Sequence, residues 1–245
     1  MLRGDDGQMG RIGMEAPGRD RVAAVAGILS VVVIVVGQYV APALIWPAEQ
    51  IGGLVASFYA NFEDRLLAEA ILFGVASALF LIFLGGLWAV LGQAEGQQPR
   101  LAPVVVAAGA VTIGLVLLQA AILVALIALE ESSLGIQAQG ASPASRALFY
   151  LHEQVRNLAL FPFAVFLGAA GAVVVRTGVL ARWLGWVGVA FGLVVGVLAA
   201  GLIAGLDIGP TDQVVFLVVA AWLAVLAFGV GWPLPAARRV DDALD

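Results

Sequence analysis

The sequence predicts an all-α membrane protein: a bundle of six transmembrane helices with both termini in the cytoplasm. Of its 245 residues, 62% are hydrophobic and 12% are charged, whereas a soluble domain carries about 25% charged residues. Six apolar runs, each bounded by turn or charged residues, are long enough to cross a bilayer core of about 30 Å. The surplus apolar side chains are therefore expected to face lipid.

The six predicted helices lie in one domain, residues 22–232. The preceding segment, 1–21, is rich in charge, glycine and proline and is expected to be a disordered cytoplasmic tail. A second cytoplasmic tail is expected at 233–245. The predicted spans are Val22–Trp46, Leu66–Leu91, Pro103–Leu129, Leu158–Val175, Trp183–Leu206 and Val214–Trp232.

The first apolar run permits a second interpretation. Ala41-Pro42-Ala43 resembles a small-residue cleavage site, so Val22–Val36 could be the core of a signal peptide and 1–43 could be removed. However, the run continues to Trp46 and exceeds the usual signal core of about 7–15 residues. We therefore expect a retained transmembrane helix.

The distribution of arginine predicts the orientation of the bundle. The chain has no lysine, and nine of its twelve arginines fall in one set of alternating loops and tails. The other three are Arg65, Arg146 and Arg156, on the opposite side. Because basic residues favour the cytoplasmic side of a membrane, both termini are predicted to be cytoplasmic.

Composition also excludes several functions. Without cysteine there can be no disulfide or thiolate ligand, and a single histidine cannot form a three-histidine zinc site. The net charge of −5 offers no basic surface for nucleic acid. We expect no metal, no cofactor and no catalytic residue, since no GxSxG or HExxH pattern occurs and Ser145 lies about 10 Å from His152 along a helix.

Glu69 is the only ionisable residue between Leu66 and Leu91. A charged side chain at mid-membrane costs about 2.5–3.5 kcal/mol on insertion scales, so its presence needs a partner or a function. Arg65, four residues earlier, offers an interfacial ion pair. The alternative is a ligand or proton site.

A second polar group lies near the start of the fourth helix. His152 and Arg156 are four residues apart, as are Glu153 and Asn157, so they form adjacent stripes on one broad face. Together with Arg65 and Glu69 they are candidates for binding a ligand at an outward-facing mouth.

The fourth helix is predicted to be longer than one crossing requires. Ser142 and Pro143 are typical of a helix start, and the distance from there to Val175 is about 50 Å. Pro162 is expected to kink the helix. The polar section could then fold over the mouth of the bundle.

Gln38 and Gln119 are the main polar groups deep in the remaining spans, with Ser30, Ser77 and Thr112. We expect them to form hydrogen bonds between helices, and the two glutamines complete the candidate ligand set. The membrane centre otherwise lacks charge, which argues against an ion pump or proton-coupled carrier.

Small residues recur at four-residue spacing in the fifth helix. Gly188, Gly192, Gly196 and Ala200 would form a groove typical of a glycine zipper, in which a second backbone approaches closely. An intramolecular neighbour is the expected partner, and a symmetric dimer is the alternative.

The segment RTGVLARWLGWVGVAFG at Arg176–Gly192 resembles the signature turn of an uncharacterised group of bacterial six-helix membrane proteins. The acidic Glu69 and the short Gly92–Arg100 loop are similar as well. The resemblance implies a multi-pass protein of the bacterial cytoplasmic (inner) membrane and lends no catalytic residue.

The sequence thus favours a lipid-binding or small-apolar-ligand-binding protein, or an accessory or structural membrane protein. A small transporter or channel component is the alternative, and a membrane-embedded enzyme is the third. The expected partners are membrane lipid and either a second copy or another membrane protein.

Overall fold

The computed structural model describes residues 17–40, 51–133, 143–206 and 211–232, whose regular secondary structure is all α-helix. Each helix contains a segment that is long and apolar enough to cross a membrane. The predicted all-α, six-helix membrane fold is therefore confirmed. The helices are α1 (Pro17–Val40), α2 (Ile51–Glu95), α3 (Leu101–Ser133), α4 (Pro143–Thr177), α5 (Arg182–Ile203) and α6 (Thr211–Gly231).

Two helix starts differ from the sequence-based expectations. α1 begins at Pro17, inside the segment expected to be a disordered tail, and α2 begins at Ile51 rather than at Leu66. α4 continues through Pro162 as a single helix, and the expected kink there stays a prediction. Proline removes one backbone hydrogen bond, but α4 packs against α3 on one side and α5 on the other. The candidate cleavage site, residues 1–16 of the first expected tail and residues 233–245 of the second lie outside the described residues.

The helices form a ring that is closed at every seam but one. α1 to α5 pack side by side in chain order, and α6 returns to pack against α1. α5 and α6 follow one another in sequence but share only a small contact. α5 is therefore attached to the bundle mainly through α4, and α6 mainly through α1.

The two ends of the bundle differ in charge and in length. Arg21, Arg100, Arg176 and Arg182 gather at the end that holds the start of α1 and the α2–α3 and α4–α5 turns. We call it the arginine-rich end. Here Glu95 caps α3, accepting hydrogen bonds from the backbone N–H groups of Leu101 (3.0 Å) and Ala102 (2.8 Å).

The opposite end is extended by three helices only. α2, α3 and α4 contain 45, 33 and 35 residues, whereas α1, α5 and α6 contain 24, 22 and 21. Gly86 packs against Ala23 near the start of α1, and Gly37 near its end packs against Phe73. The first turns of α2 therefore project beyond α1. A separate apolar cluster holds the three helices of this extension together, and it includes Leu66, Leu126 and Val155.

The half of the bundle nearest the arginine-rich end is densely packed. Side chains from α2, α4 and α6 are at most 2% exposed there and belong to one apolar cluster. Buried side chains of the described residues therefore fill much of this half. The most buried of these residues are Leu87, Leu91, Val173, Val174 and Leu226.

Glycines allow α4 and α5 to touch backbone to backbone. A Cβ atom added to Gly192 would lie 2.7 Å from the carbonyl oxygen of Ala164, and one added to Gly171 would lie 2.5 Å from that of Gly185. Gly188 is also buried in this contact. The neighbour of the small-residue face in this chain is α4.

The contacting line on α5 is not the predicted four-residue stripe. It runs through Gly185, Gly188 and Gly192, whose Cβ positions adjoin backbone atoms of α4. Four residues advance a helix by about 400°, so a strict four-residue series drifts around the axis. Gly196 accordingly has only ordinary contact, with its nearest neighbour at 3.7 Å, and Ala200 is exposed. Ala200 thus lies outside the contact with α4, and its part in a contact between two copies stays a prediction.

We predict that Gly192→Leu lowers the thermal midpoint of the detergent-solubilised protein. The new side chain must displace α4 backbone, and overpacking costs about 1–3 kcal/mol. Gly114→Leu is the matched control, because space is open around that glycine and the midpoint should not change. Equal midpoints for the two variants would contradict the packing described here.

Candidate functional site

A cavity of about 250 Å³ lies in the half of the bundle away from the arginine-rich end, and all six helices line it. Its walls are almost entirely aliphatic and aromatic. Towards the arginine-rich end, buried side chains pack inside the ring of helices, and the cavity therefore ends near mid-bundle. The apolar lining includes Val31, Ile34, Phe73, Ala76, Phe80, Ile113, Val116, Ala159, Leu160, Phe163, Val195, Leu198, Leu202, Val215, Phe216, Val219, Ala220 and Leu223.

Two of the hydroxyl groups that line the cavity donate to backbone carbonyls. The Ser30 hydroxyl on α1 donates to the Ala76 carbonyl on α2 at 2.8 Å. The Thr112 hydroxyl donates to the Ala108 carbonyl within α3 at 2.9 Å. Both groups are thereby used for helix structure, as expected for polar groups in an apolar environment.

Arg156 supplies a cation to the wall of the cavity. Its Nη2 atom lies 3.5 Å from Oε2 of Glu153, and the two side chains are 46% and 31% exposed. This distance exceeds that of a hydrogen bond, and exposed pairs of this kind contribute little stability. A guanidinium has five N–H donors, so Arg156 keeps donors for a ligand.

His152 bonds to α3 and is not a free group at the mouth. Its Nδ1 lies 3.2 Å from the backbone oxygen of Gln119, and its Nε2 lies 3.3 Å from Nε2 of the same residue. A neutral ring protonated on Nδ1 satisfies both contacts, donating to the carbonyl and accepting from the amide. Gln119 thus bonds between helices, as expected.

Glu69 is half-buried, and the charged residue that acts on it lies on another helix. Arg156 on α4 interacts electrostatically with it. Arg65 stacks on the Phe62 ring at 5.6 Å, and no ion pair between Arg65 and Glu69 occurs in the described chain. The expected ion pair within α2 was therefore wrong, because the Arg65 side chain turns towards an aromatic ring instead.

The structure divides the eight predicted ligand residues into two groups. Gln38, Gln119 and Arg156 line the cavity. Asn157 is 7% exposed, and its Oδ1 has no hydrogen-bond partner among the described residues. The residues outside the lining are Arg65, Glu69, His152, Glu153 and Asn157.

Sequence reasoning missed the walls that α5 and α6 contribute. Leu198, Leu202 and Phe216 face the cavity, yet each lies in a run that is apolar throughout. A uniformly apolar run has no periodic signal to separate lipid-facing from cavity-facing positions.

The residues around the cavity can be compared with those of known kinds of site. Ser145, the serine nearest to His152 on α4, is almost fully buried. In the described part of the chain, no three His, Asp or Glu side chains cluster in a way that would hold a metal ion. An apolar cavity with a few polar groups at one side is typical of sites for small molecules.

Comparisons with protein-family models, with curated proteins and with solved structures find no match to this chain. Functional conclusions therefore rest on the cavity and its residues.

We predict that Gln119 and His152 stabilise the bundle jointly. A double-mutant cycle with Gln119→Leu and His152→Phe should give a coupling of about 0.6–1.7 kcal/mol in the free energy of unfolding, the range of hydrogen bonds between membrane helices. Gln154, an exposed glutamine on α4, provides the control. Gln154→Leu combined with His152→Phe should be additive, and additivity in both cycles would contradict the contact.

Proposed function

We propose that this protein binds one lipid-like or small apolar ligand in its central cavity, with the polar mouth on the outer side of a bacterial cytoplasmic membrane. The observation that carries the proposal is an almost entirely apolar cavity of about 250 Å³ that is bordered by all six helices. A molecule with an apolar body and one polar end complements it.

An empty cavity of this kind is costly. Atoms that line an empty cavity lack packing partners on one side and lose those van der Waals contacts. Water fills an apolar cavity poorly because it finds no partners there. A bilayer offers acyl chains at high concentration, and one of these restores the lost contacts.

A transporter or channel component is less well supported. Transport would need a polar path across the bundle, but buried Leu87, Leu91 and Leu226 fill the half nearest the arginine-rich end. Such a path would have to come from association with other subunits. The Arg176–Gly192 segment supports our proposal that the chain belongs to the bacterial six-helix group it resembles.

A lipid-like molecule should co-purify with the protein and be detected by native mass spectrometry. Ala220→Phe places a ring in the cavity and should abolish the bound mass. Ala221→Phe is the matched control, because the adjacent alanine is exposed outside the cavity, and it should retain the ligand.

Leu198→Phe provides a second cavity variant in case Ala220→Phe does not fold. A wild-type protein that carries no ligand, or an equal loss of ligand in the Ala221 variant, would contradict the proposal. Thermal midpoints of all variants distinguish lost binding from lost folding.

The orientation can be tested separately, because the chain contains no cysteine. Gln98 lies in the exposed turn of the arginine-rich end and Gln154 is exposed at the opposite end. In intact cells a membrane-impermeant maleimide should label Gln154→Cys but not Gln98→Cys. The reverse pattern would place the mouth in the cytoplasm.

A further inference from the structure

We propose that the occupant is a membrane lipid with an anionic headgroup, a carboxylate or a phosphate, which enters sideways from the bilayer between α5 and α6 and places its headgroup at Arg156. This inference rests on the proposed ligand-binding function and adds the ligand class and the route.

The gap between α5 and α6 is the weakest wall of the bundle. All other neighbours in the ring pack along their length, whereas α5 and α6 share a small contact. No other described helix covers this seam, because α5 is held by α4 and α6 by α1. Separation of these two helices away from Trp222 would leave the α4–α5 and α1–α6 contacts in place.

The side chains that join α5 to α6 lie towards the arginine-rich end. The indole N–H of Trp222 on α6 donates to the carbonyl of Leu184 on α5 at 3.0 Å. The same ring lies against Gly188 and meets Phe191 edge-on, with centroids 6.4 Å apart. We call the part of the gap beyond these contacts, away from the arginine-rich end, the window.

The cavity lies behind this window. Leu198 and Leu202 on α5, and Val215 and Phe216 on α6, line the cavity from the two sides of the gap. The adjacent side chain of Val197 is 72% exposed on the outside of the bundle. Both rims are thus apolar on the inside and on the outside. An acyl chain can cross them without exposing polar groups to hydrocarbon.

The polarity of the cavity matches the orientation of a lipid in the adjacent leaflet. Gln38 on α1 and Arg156 on α4 lie at the level where α1 and α5 end, away from the arginine-rich end. Phe80 and Phe163 lie nearer mid-bundle. A lipid can therefore move in with its headgroup at the interface and its chain towards the membrane centre, without turning over.

The N–H donors of Arg156 suit an anion. Arg156 is the charged residue among those described around the cavity. It forms an ion pair with Glu153 at 3.5 Å and interacts electrostatically with Glu69, but no hydrogen bond to either carboxylate occurs among the described residues, so its N–H donors are available. A carboxylate or phosphate oxygen can accept charge-assisted hydrogen bonds from the guanidinium, which a neutral headgroup does not match.

The headgroup is tested with defined single-chain probes and the full-length protein in phosphatidylcholine vesicles. A fluorescent fatty acid and lysophosphatidylglycerol, the two anionic probes, should each bind about 10-fold more weakly to Arg156→Gln, the loss typical of a hydrogen bond to a charged group. Monoacylglycerol, a neutral probe, should bind both proteins equally. Arg146→Gln removes an exposed arginine of the same helix outside the cavity and should leave all affinities unchanged.

Tighter binding of the fatty acid identifies a carboxylate headgroup, and tighter binding of lysophosphatidylglycerol identifies a phosphate. Equal affinities of the Arg156 variant and the wild type for both anionic probes would overturn the headgroup assignment. Binding of no probe at all, together with no co-purifying lipid, would instead show that the proposed function itself is wrong.

The route is tested by the rate of probe transfer between vesicles. Leu202→Trp places a larger side chain at the rim of the window and should slow transfer about 10-fold with little change in equilibrium affinity, since only the barrier is affected. Val197→Trp, which points outward from the same helix, should have no effect. Gln38→Trp obstructs the polar mouth instead. Slower transfer in the Gln38 variant, with an unchanged rate for Leu202→Trp, would overturn lateral access.

Discussion

The bundle depends on the close backbone contact between α4 and α5. Without Cβ atoms at Gly171, Gly185 and Gly192, the two helices meet at a distance that no larger residue permits. In lipid, where apolar burial gives no net gain between helices, such van der Waals contact is what holds them together. Because α5 is fixed to α4 in this way, it does not need α6, and the ring can remain open on that side.

The same architecture explains where a ligand fits. α6 packs against α1, so the space between α5 and α6 is filled only near Trp222. Large buried side chains occupy the half nearest the arginine-rich end, and smaller ones such as Ala76, Ala159 and Ala220 border the cavity. The cavity is thus bordered by α5, which the glycine contact fixes to α4, and by alanines of α2, α4 and α6.

The polar residues of α4 divide into structural and available groups according to the direction in which they point. His152 faces α3 and is held by Gln119, while Arg156, one turn further on, borders the cavity. Glu153 and Arg156 are within reach of each other but are not hydrogen-bonded. His152, which bonds to α3, and Arg156, which can bind a ligand, are therefore one helical turn apart.

Composition and hydropathy alone determined the six-helix membrane fold, because a chain with 62% hydrophobic residues has no soluble alternative that buries them. The sequence also singled out Gly188 and Gly192, which adjoin α4, and Gln38, Gln119 and Arg156, which line the cavity. Only the tertiary structure decided which small residues meet α4, that Arg65 turns away from Glu69, and that α5 and α6 stand apart. Those outcomes depend on helix rotation and on contacts between distant segments, which uniformly apolar runs do not encode in their periodicity.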